Sequence, residues 1–203
     1  MKKTALTALL FTTALTIVAC NSNEPDATPT SATPPPSSSM PRPQVAVSVP
    51  AAPPQKNKGR NAVAFDPCVD VGDSTITDAG FNPRSRERDD FTSDFYSFRG
   101  CKFTKGNEQG IAVRYLTVQS TNITMAEVRE RYGSDVRNTS IAGRDAAIYR
   151  IPGMEQGACL LSMQTRDGSL HVNLGVAVAF SVENPCDAIP GVAEKLAPAL
   201  INQ

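Results

Sequence analysis

The sequence predicts a single α+β domain: a mostly antiparallel sheet of four to five strands, about three helices packed on one face, and two disulfides. Three observations carry that expectation. Pairs of apolar, alternating runs flank one well-capped helix, four cysteines are spread widely over residues 61–203, and the chain before residue 61 is too rich in proline to build a core. The order read from the chain is helix, two strands, helix, two or three strands, helix.

The first helical segment is FDPCVDVGDSTITDAGF, beginning near Cys68. FYSFRGCKFT then reads as a strand ending near Cys101, and EQGIAVRYLTVQST as its neighbour after a KGN turn. Between helix and strand, RSRERDD alternates in charge and is expected as a solvated loop. The middle helix is signposted by Thr124-x-x-Glu127, a capping box, with Ile123 and Val128 placed as its hydrophobic staple and Gly133 as its stop. SIAGRDAAIYRIPG follows as an extended segment bent at Gly143.

The clearest element is the hairpin ACLLSMQTRDGSLHVNLGVAVAF. With Asp167-Gly168 as a two-residue turn, Met163 faces Val172, Leu161 faces Leu174 and Cys159 faces Val176, all on one face. The other face carries Gln164 with His171 and Ser162 with Asn173. The last helix, CDAIPGVAEKLAPALIN, repeats Ile189, Val192, Ala193, Leu196 and Leu200 at helical spacing.

The chain opens on a targeting pattern. Lys2 and Lys3 precede an uncharged apolar run, Ala5 to Val18, of about 14 residues, short of the ~20 that span a bilayer. It ends Ile17-Val18-Ala19-Cys20. Secretory signal peptides end in small residues, and one that ends at a cysteine resembles the bacterial lipobox. The resemblance implies that residues 1–19 are removed and that Cys20 is acylated, holding the protein at the extracytoplasmic face of the cell membrane. Two or more acyl chains anchor stably where one is marginal.

Residues 20–60 are expected as a disordered linker. Ten of the 16 prolines fall within residues 21–60, in runs such as ATPTSATPPPSSS and VPAAPPQ, with few large apolar residues. The alternation of VAVSV at 45–49 is strand-like, but its flanking prolines favour linker. Residues 61–203 are long enough for one domain with its own core.

Charge is balanced, with 20 Lys+Arg against 20 Asp+Glu; loss of Lys2 and Lys3 leaves 18 against 20, or −2. Nothing there points to nucleic acid. In an oxidising compartment Cys68, Cys101, Cys159 and Cys186 read as two disulfides, with three pairings open. The expected helix placements favour Cys68–Cys101 and Cys159–Cys186, each stapling a helix to the sheet. Metal binding is disfavoured, since there is no C-x-x-C and a single histidine, His171. No cofactor is expected.

FDPC at 65–68, DAGF at 78–81, RGC at 99–101 and NPC at 184–186, in that order behind the lipobox, resemble an actinobacterial envelope lipoprotein family catalogued as a domain of unknown function. The resemblance implies a lipid anchor, a Ser/Thr/Pro-rich linker and a cysteine-paired α+β domain, and supplies no catalytic residues.

The residues themselves give little chemistry. His171 as a general base would need a nucleophile and an orienting carboxylate; Ser162 is a diagonal neighbour at best, and no G-x-S-x-G, H-E-x-x-H or S-x-x-K occurs. A solvated sheet histidine is the simpler reading. Asp89 and Asp90 belong to the charged RSRERDD run. Phe95, Tyr96, Phe98 and Phe103 place aromatic rings on both sides of one strand, one side for the core and the other available to line a groove. The leading expectation is a non-enzymatic binding module that meets an envelope protein or the wall polymer. A lipid or small-ligand carrier is the alternative, and an envelope hydrolase the third. An apolar pocket above ~300 Å³ would favour the carrier.

Overall fold

A computed structural model describes residues 42–153 and 157–200; Cys20 and the targeting pattern lie outside them. These residues form one eight-stranded antiparallel sheet rather than the four to five strands expected. The strands are β1 (Asn82–Arg88), β2 (Phe91–Thr92), β3 (Ser97–Gly106), β4 (Ala112–Thr121), β5 (Arg137–Ile141), β6 (Arg144–Tyr149), β7 (Ala158–Gln164) and β8 (Ser169–Val176). The spatial order is β1-β3-β4-β8-β7-β6-β5, with β2 also pairing on β3. Four helices accompany them: α1 (Pro67–Asp70), α2 (Asp73–Asp78), α3 (Met125–Tyr132) and α4 (Pro185–Leu196).

Besides the two-residue β2, the additional strands come from two segments. RSRER, expected as a loop, is the edge strand β1, and its charges are organised rather than merely solvated. Arg86 points inward and is 4% exposed. It donates to the carbonyl of Cys68 at 3.1 Å and to the Asp73 carboxylate at 2.6 Å, with its guanidinium 5.0 Å from the Phe103 ring centroid. Arg88 forks onto both oxygens of Asp66 at 3.1 and 2.7 Å and also reaches Asp90. Charged edge strands resist pairing with other chains. The second segment, SIAGRDAAIY, folds into the β5–β6 hairpin because Ala142 (φ 49°) and Gly143 (φ 78°) both take positive φ, as a two-residue type I′ turn demands.

The β7–β8 hairpin forms with its register displaced by two residues. Leu161 faces Val172, Cys159 faces Leu174, and Gln164 pairs with Ser169 across a four-residue loop. That loop is closed by the Thr165 N–H donating to the Gly168 carbonyl at 3.1 Å. Asp167 is held away from a two-residue turn by accepting from the Ala64 N–H at 2.9 Å. A shift of two leaves every side chain on its expected face, since the strand period is two. Cys159, Leu161 and Met163 therefore remain wholly buried.

The helices lie on both faces, not on one. Alternate residues of β3, β4, β8, β7 and β6 (Phe103, Leu116, Val172, Leu161 and Ile148 among them) form the main core with Ile76 of α2 and Ile189, Leu196 and Leu200 at the C-terminal end. The helix α3 instead packs on the reverse face, where Val128 meets Tyr149 and Leu160. Its capping box is present: the Thr124 hydroxyl accepts from the Glu127 N–H at 3.3 Å while the Glu127 carboxylate accepts from the Thr124 N–H at 2.9 Å.

Both disulfides of the sequential pairing are present, Cys68–Cys101 and Cys159–Cys186. The second ties the start of α4 to β7. Pro190 inside α4 has no N–H to give the Cys186 carbonyl; the Arg137 guanidinium from β5 donates to it instead at 3.3 Å.

Residues 42–60, placed in the linker by their composition, run extended against the domain. The Asp73 N–H donates to the Gln44 carbonyl at 3.0 Å, Arg88 Nε donates to the Pro50 carbonyl at 2.5 Å, and Lys56 and Lys58 pair with Asp94 at 2.9 and 2.8 Å. Asn57 accepts through Oδ1 from both Ser97 and Asn122, at 2.7 and 2.9 Å. Polar side chains and prolines that build no core can still lie along one.

Candidate functional site

On the reverse face α3 roofs only part of the sheet. Between its exposed flank and the strands lies a half-open cavity of about 710 Å³. Its floor follows from strand alternation: Phe98 of β3, Gln119 of β4, His171 of β8 and Leu160 of β7 all point to the reverse face. Its roof and ends are Ile123, Val128 and Tyr132 around α3, with Tyr149 and Ile151 on one side and Tyr96 on the other. Five aromatic rings, counting His171, thus surround one recess.

The polar groups in its wall are few and individually placed. Tyr149 and Ser162 share a buried hydroxyl–hydroxyl hydrogen bond of 2.8 Å, and the Tyr149 ring stacks on Tyr132 with centroids 4.3 Å apart. Burial pushes the Tyr149 phenol up to about 12, a shift the Ser162 hydrogen bond only moderates. His171 is half-buried as a residue, but its Nε2 is closed off from solvent and has no hydrogen-bond partner. The imidazole meets Phe98 edge-on at 5.9 Å, and burial holds it down at about 4. His171 is therefore a neutral ring built into the cavity wall, not the solvated histidine expected.

At the mouth stand Glu127, Glu130 and Arg131. Arg60 clamps the first of these, donating to both Glu127 oxygens, to the Asn122 carbonyl at 3.2 Å and to the Tyr96 hydroxyl at 3.1 Å. Its guanidinium also lies 4.3 Å from the Tyr96 ring centroid. The extended segment before the domain thus ends on the cavity rim. The Arg60 hydrogen bonds hold the Glu127 carboxyl down at about 2.

The residues weighed for catalysis do not assemble. Ser162 sits directly opposite His171 in the sheet, closer than the diagonal placement expected, yet its hydroxyl is engaged with Tyr149. Asp90 accepts from the Gly100 N–H at 2.9 Å and pairs with Arg88, and Asp89 accepts from Gln119. Both acids thus serve the β1–β3 edge. Gly100 is required there, since a Cβ would stand 2.1 Å from the Asp89 carbonyl oxygen. Of the aromatic residues singled out, Phe103 belongs to the core, Tyr96 and Phe98 line the cavity, and Phe95 is exposed outside β3. Among the described residues no three of His, Cys, Asp and Glu converge as a metal site, and no helix is long and apolar enough to cross a membrane.

Sequence reasoning missed Gln119, Tyr132 and Tyr149. Their signal was the alternation of β4 and β6 against a helix assigned to the wrong face.

The described residues thus form a disulfide-pinned antiparallel sheet with a helix-roofed recess. The chain belongs to the family described as protein of unknown function DUF3558, whose model matches residues 15–199. Neither the curated proteins nor the solved structures contain a match to it. The family description carries no activity to bring to these residues.

Proposed function

We propose that the chain is a non-enzymatic binding domain, tethered through acylated Cys20 at the extracytoplasmic face of the cell membrane, and that it holds a small ligand in the α3 cavity. One observation carries the reading: the recess of about 710 Å³ falls within the ~300–1,000 Å³ usual for small-molecule sites, and its walls are mainly aromatic and aliphatic with a few placed polar groups. A recess favours a small ligand over the flat docking of an envelope protein or of wall polymer. The hydrolase reading has little support, because no carboxylate among the described residues hydrogen-bonds the His171 ring and the Ser162 hydroxyl is committed to Tyr149.

Native mass spectrometry of the full-length protein, gently extracted from its own envelope, tests this. A co-purifying small-molecule mass that Leu160→Trp abolishes is expected. A protein partner in fixed stoichiometry that survives that substitution would replace the proposal with an assembly role.

A further inference from the structure

Resting on that reading, we propose that the ligand is an electrically neutral, largely apolar molecule whose one essential polar feature is a hydrogen-bond donor, such as a phenol or alcohol hydroxyl, and that Gln119 receives it. Gln119 is half-buried in the cavity floor. Its side-chain Nε2 donates to the Asp89 backbone carbonyl at 3.0 Å and to the Asp89 carboxylate at 3.3 Å. Both are pure acceptors, so the amide nitrogen must face them and the amide oxygen points the other way. That oxygen accepts no hydrogen bond from any described residue. The amide is thus fixed by its neighbours on a residue that lines the cavity, which leaves its oxygen as the acceptor offered to a ligand, and an acceptor selects a donor.

Charge excludes the ionic alternatives. Among the described residues Arg131 is the one cationic side chain lining the recess; it stands at the mouth, 5.8 Å from the Tyr132 ring centroid, with Glu127 and Glu130 beside it. Among the described residues of the floor none is cationic and able to hold a carboxylate or phosphate, since His171 is uncharged at neutral pH. A cation finds no free anion there either: Glu127 is matched by Arg60, and Glu130 is exposed at the rim. The aromatic walls suit a ring stacked or edge-on against Phe98 and Tyr132.

Three probes with one apolar body separate these ideas: 4-butylphenol, 4-butylanisole and 4-butylbenzoate, which carry a donor, no donor and a charge. The imidazole resonance of His171, the only histidine in the chain, reports occupancy of the cavity in the full-length protein. The phenol is expected to bind about fivefold to tenfold more tightly than the anisole, the worth of one net hydrogen bond, and the benzoate weakest. Gln119→Leu is expected to erase the advantage of the phenol over the anisole; because the comparison also stands within the wild-type protein, it does not depend on that variant folding. Equal binding of phenol and anisole overturns the donor assignment and leaves the cavity as a site. Preference for benzoate overturns the neutral-ligand assignment. If no probe moves the His171 signal, the cavity reading falls, and this inference with it.

Discussion

Arg60 and Glu127 form the ion pair that joins the extended segment before the domain to the first turn of α3. The two groups are a quarter to a third exposed, which screens the pair, yet its geometry is bidentate and Glu127 simultaneously completes the capping box. Removing Arg60 therefore loosens both the segment and the helix that roofs the cavity.

Arg60→Ala is expected to cost about 1 kcal/mol in equilibrium unfolding. The effect is pH-dependent with a defined sign. Glu127 is held at about 2 in the fold against 4.5 as the reference value, so its stabilisation is fully present above about pH 4.5 and is lost as pH falls through 2. Wild type and variant should converge in stability across that window. Parallel curves down to pH 2 would show that the pair contributes nothing.

His171 titrates in a separate window. Its folded value of about 4 lies below the reference 6.5, so the unfolded chain takes up the proton first and stability declines as pH falls from 6.5 to 4. The single imidazole signal in the NMR spectrum should stay in its neutral position down to about pH 4. His171→Leu should flatten the stability profile between pH 6.5 and 4 and leave the lower window, which belongs to Glu127, unchanged. A midpoint near 6.5 in the folded protein would mean the ring is open to water.

Much of the fold was legible before the structure, and the misses have physical causes. The capping box of α3 and the core-facing alternation of Cys159, Leu161 and Met163 are local or period-two signals that tertiary context did not override, and the pairing of the four cysteines followed from where the helices were placed. The strand β1 was hidden because an edge strand is written in charges, and because Arg86 is buried on the strength of Asp73, a partner 13 residues away. The face of α3 was misread because Val128 and Tyr132 carry no mark of which side of a sheet they will meet. The cavity followed from that error, since a recess exists only where a helix roofs a face incompletely. Gln119 carries no local signal, because Asp89, the partner that fixes its amide, lies 30 residues away.

The hydroxyl pair of Tyr149 and Ser162 is a buried two-member network, and such networks are costly to break on one side only. Tyr149→Phe should destabilise the protein by about 1–2 kcal/mol, and Ser162→Ala by a similar amount. The double variant should lose less than the sum, since neither leaves a partner unpaired. Titrated at 295 nm, one of the four tyrosines should ionise near 12 in the folded protein. The phenol value is raised from 10, so this contribution is whole below about pH 10 and lost as pH rises through 12. Additive losses in the two single variants would show that the hydrogen bond is not made.

The docked segment also alters what a tether at Cys20 could do. Among the described residues the first to bond to the domain is Gln44, which lies 24 residues after Cys20, whereas Arg60 lies 40 after it. At ~3.1 Å per residue, 24 fully extended residues would reach about 75 Å, where 40 would reach about 120 Å. Cys20→Ala should move the protein from the membrane pellet to the soluble fraction after lysis, with no change in thermal stability, because the contacts from Gln44 onward are untouched. Loosening the segment instead, with Lys56→Ala, Lys58→Ala and Arg60→Ala combined, should leave the protein in the pellet and expose residues 44–60 to limited proteolysis. Continued sedimentation of the Cys20→Ala protein would remove the anchor from the proposal while leaving the cavity and its ligand to be tested on their own.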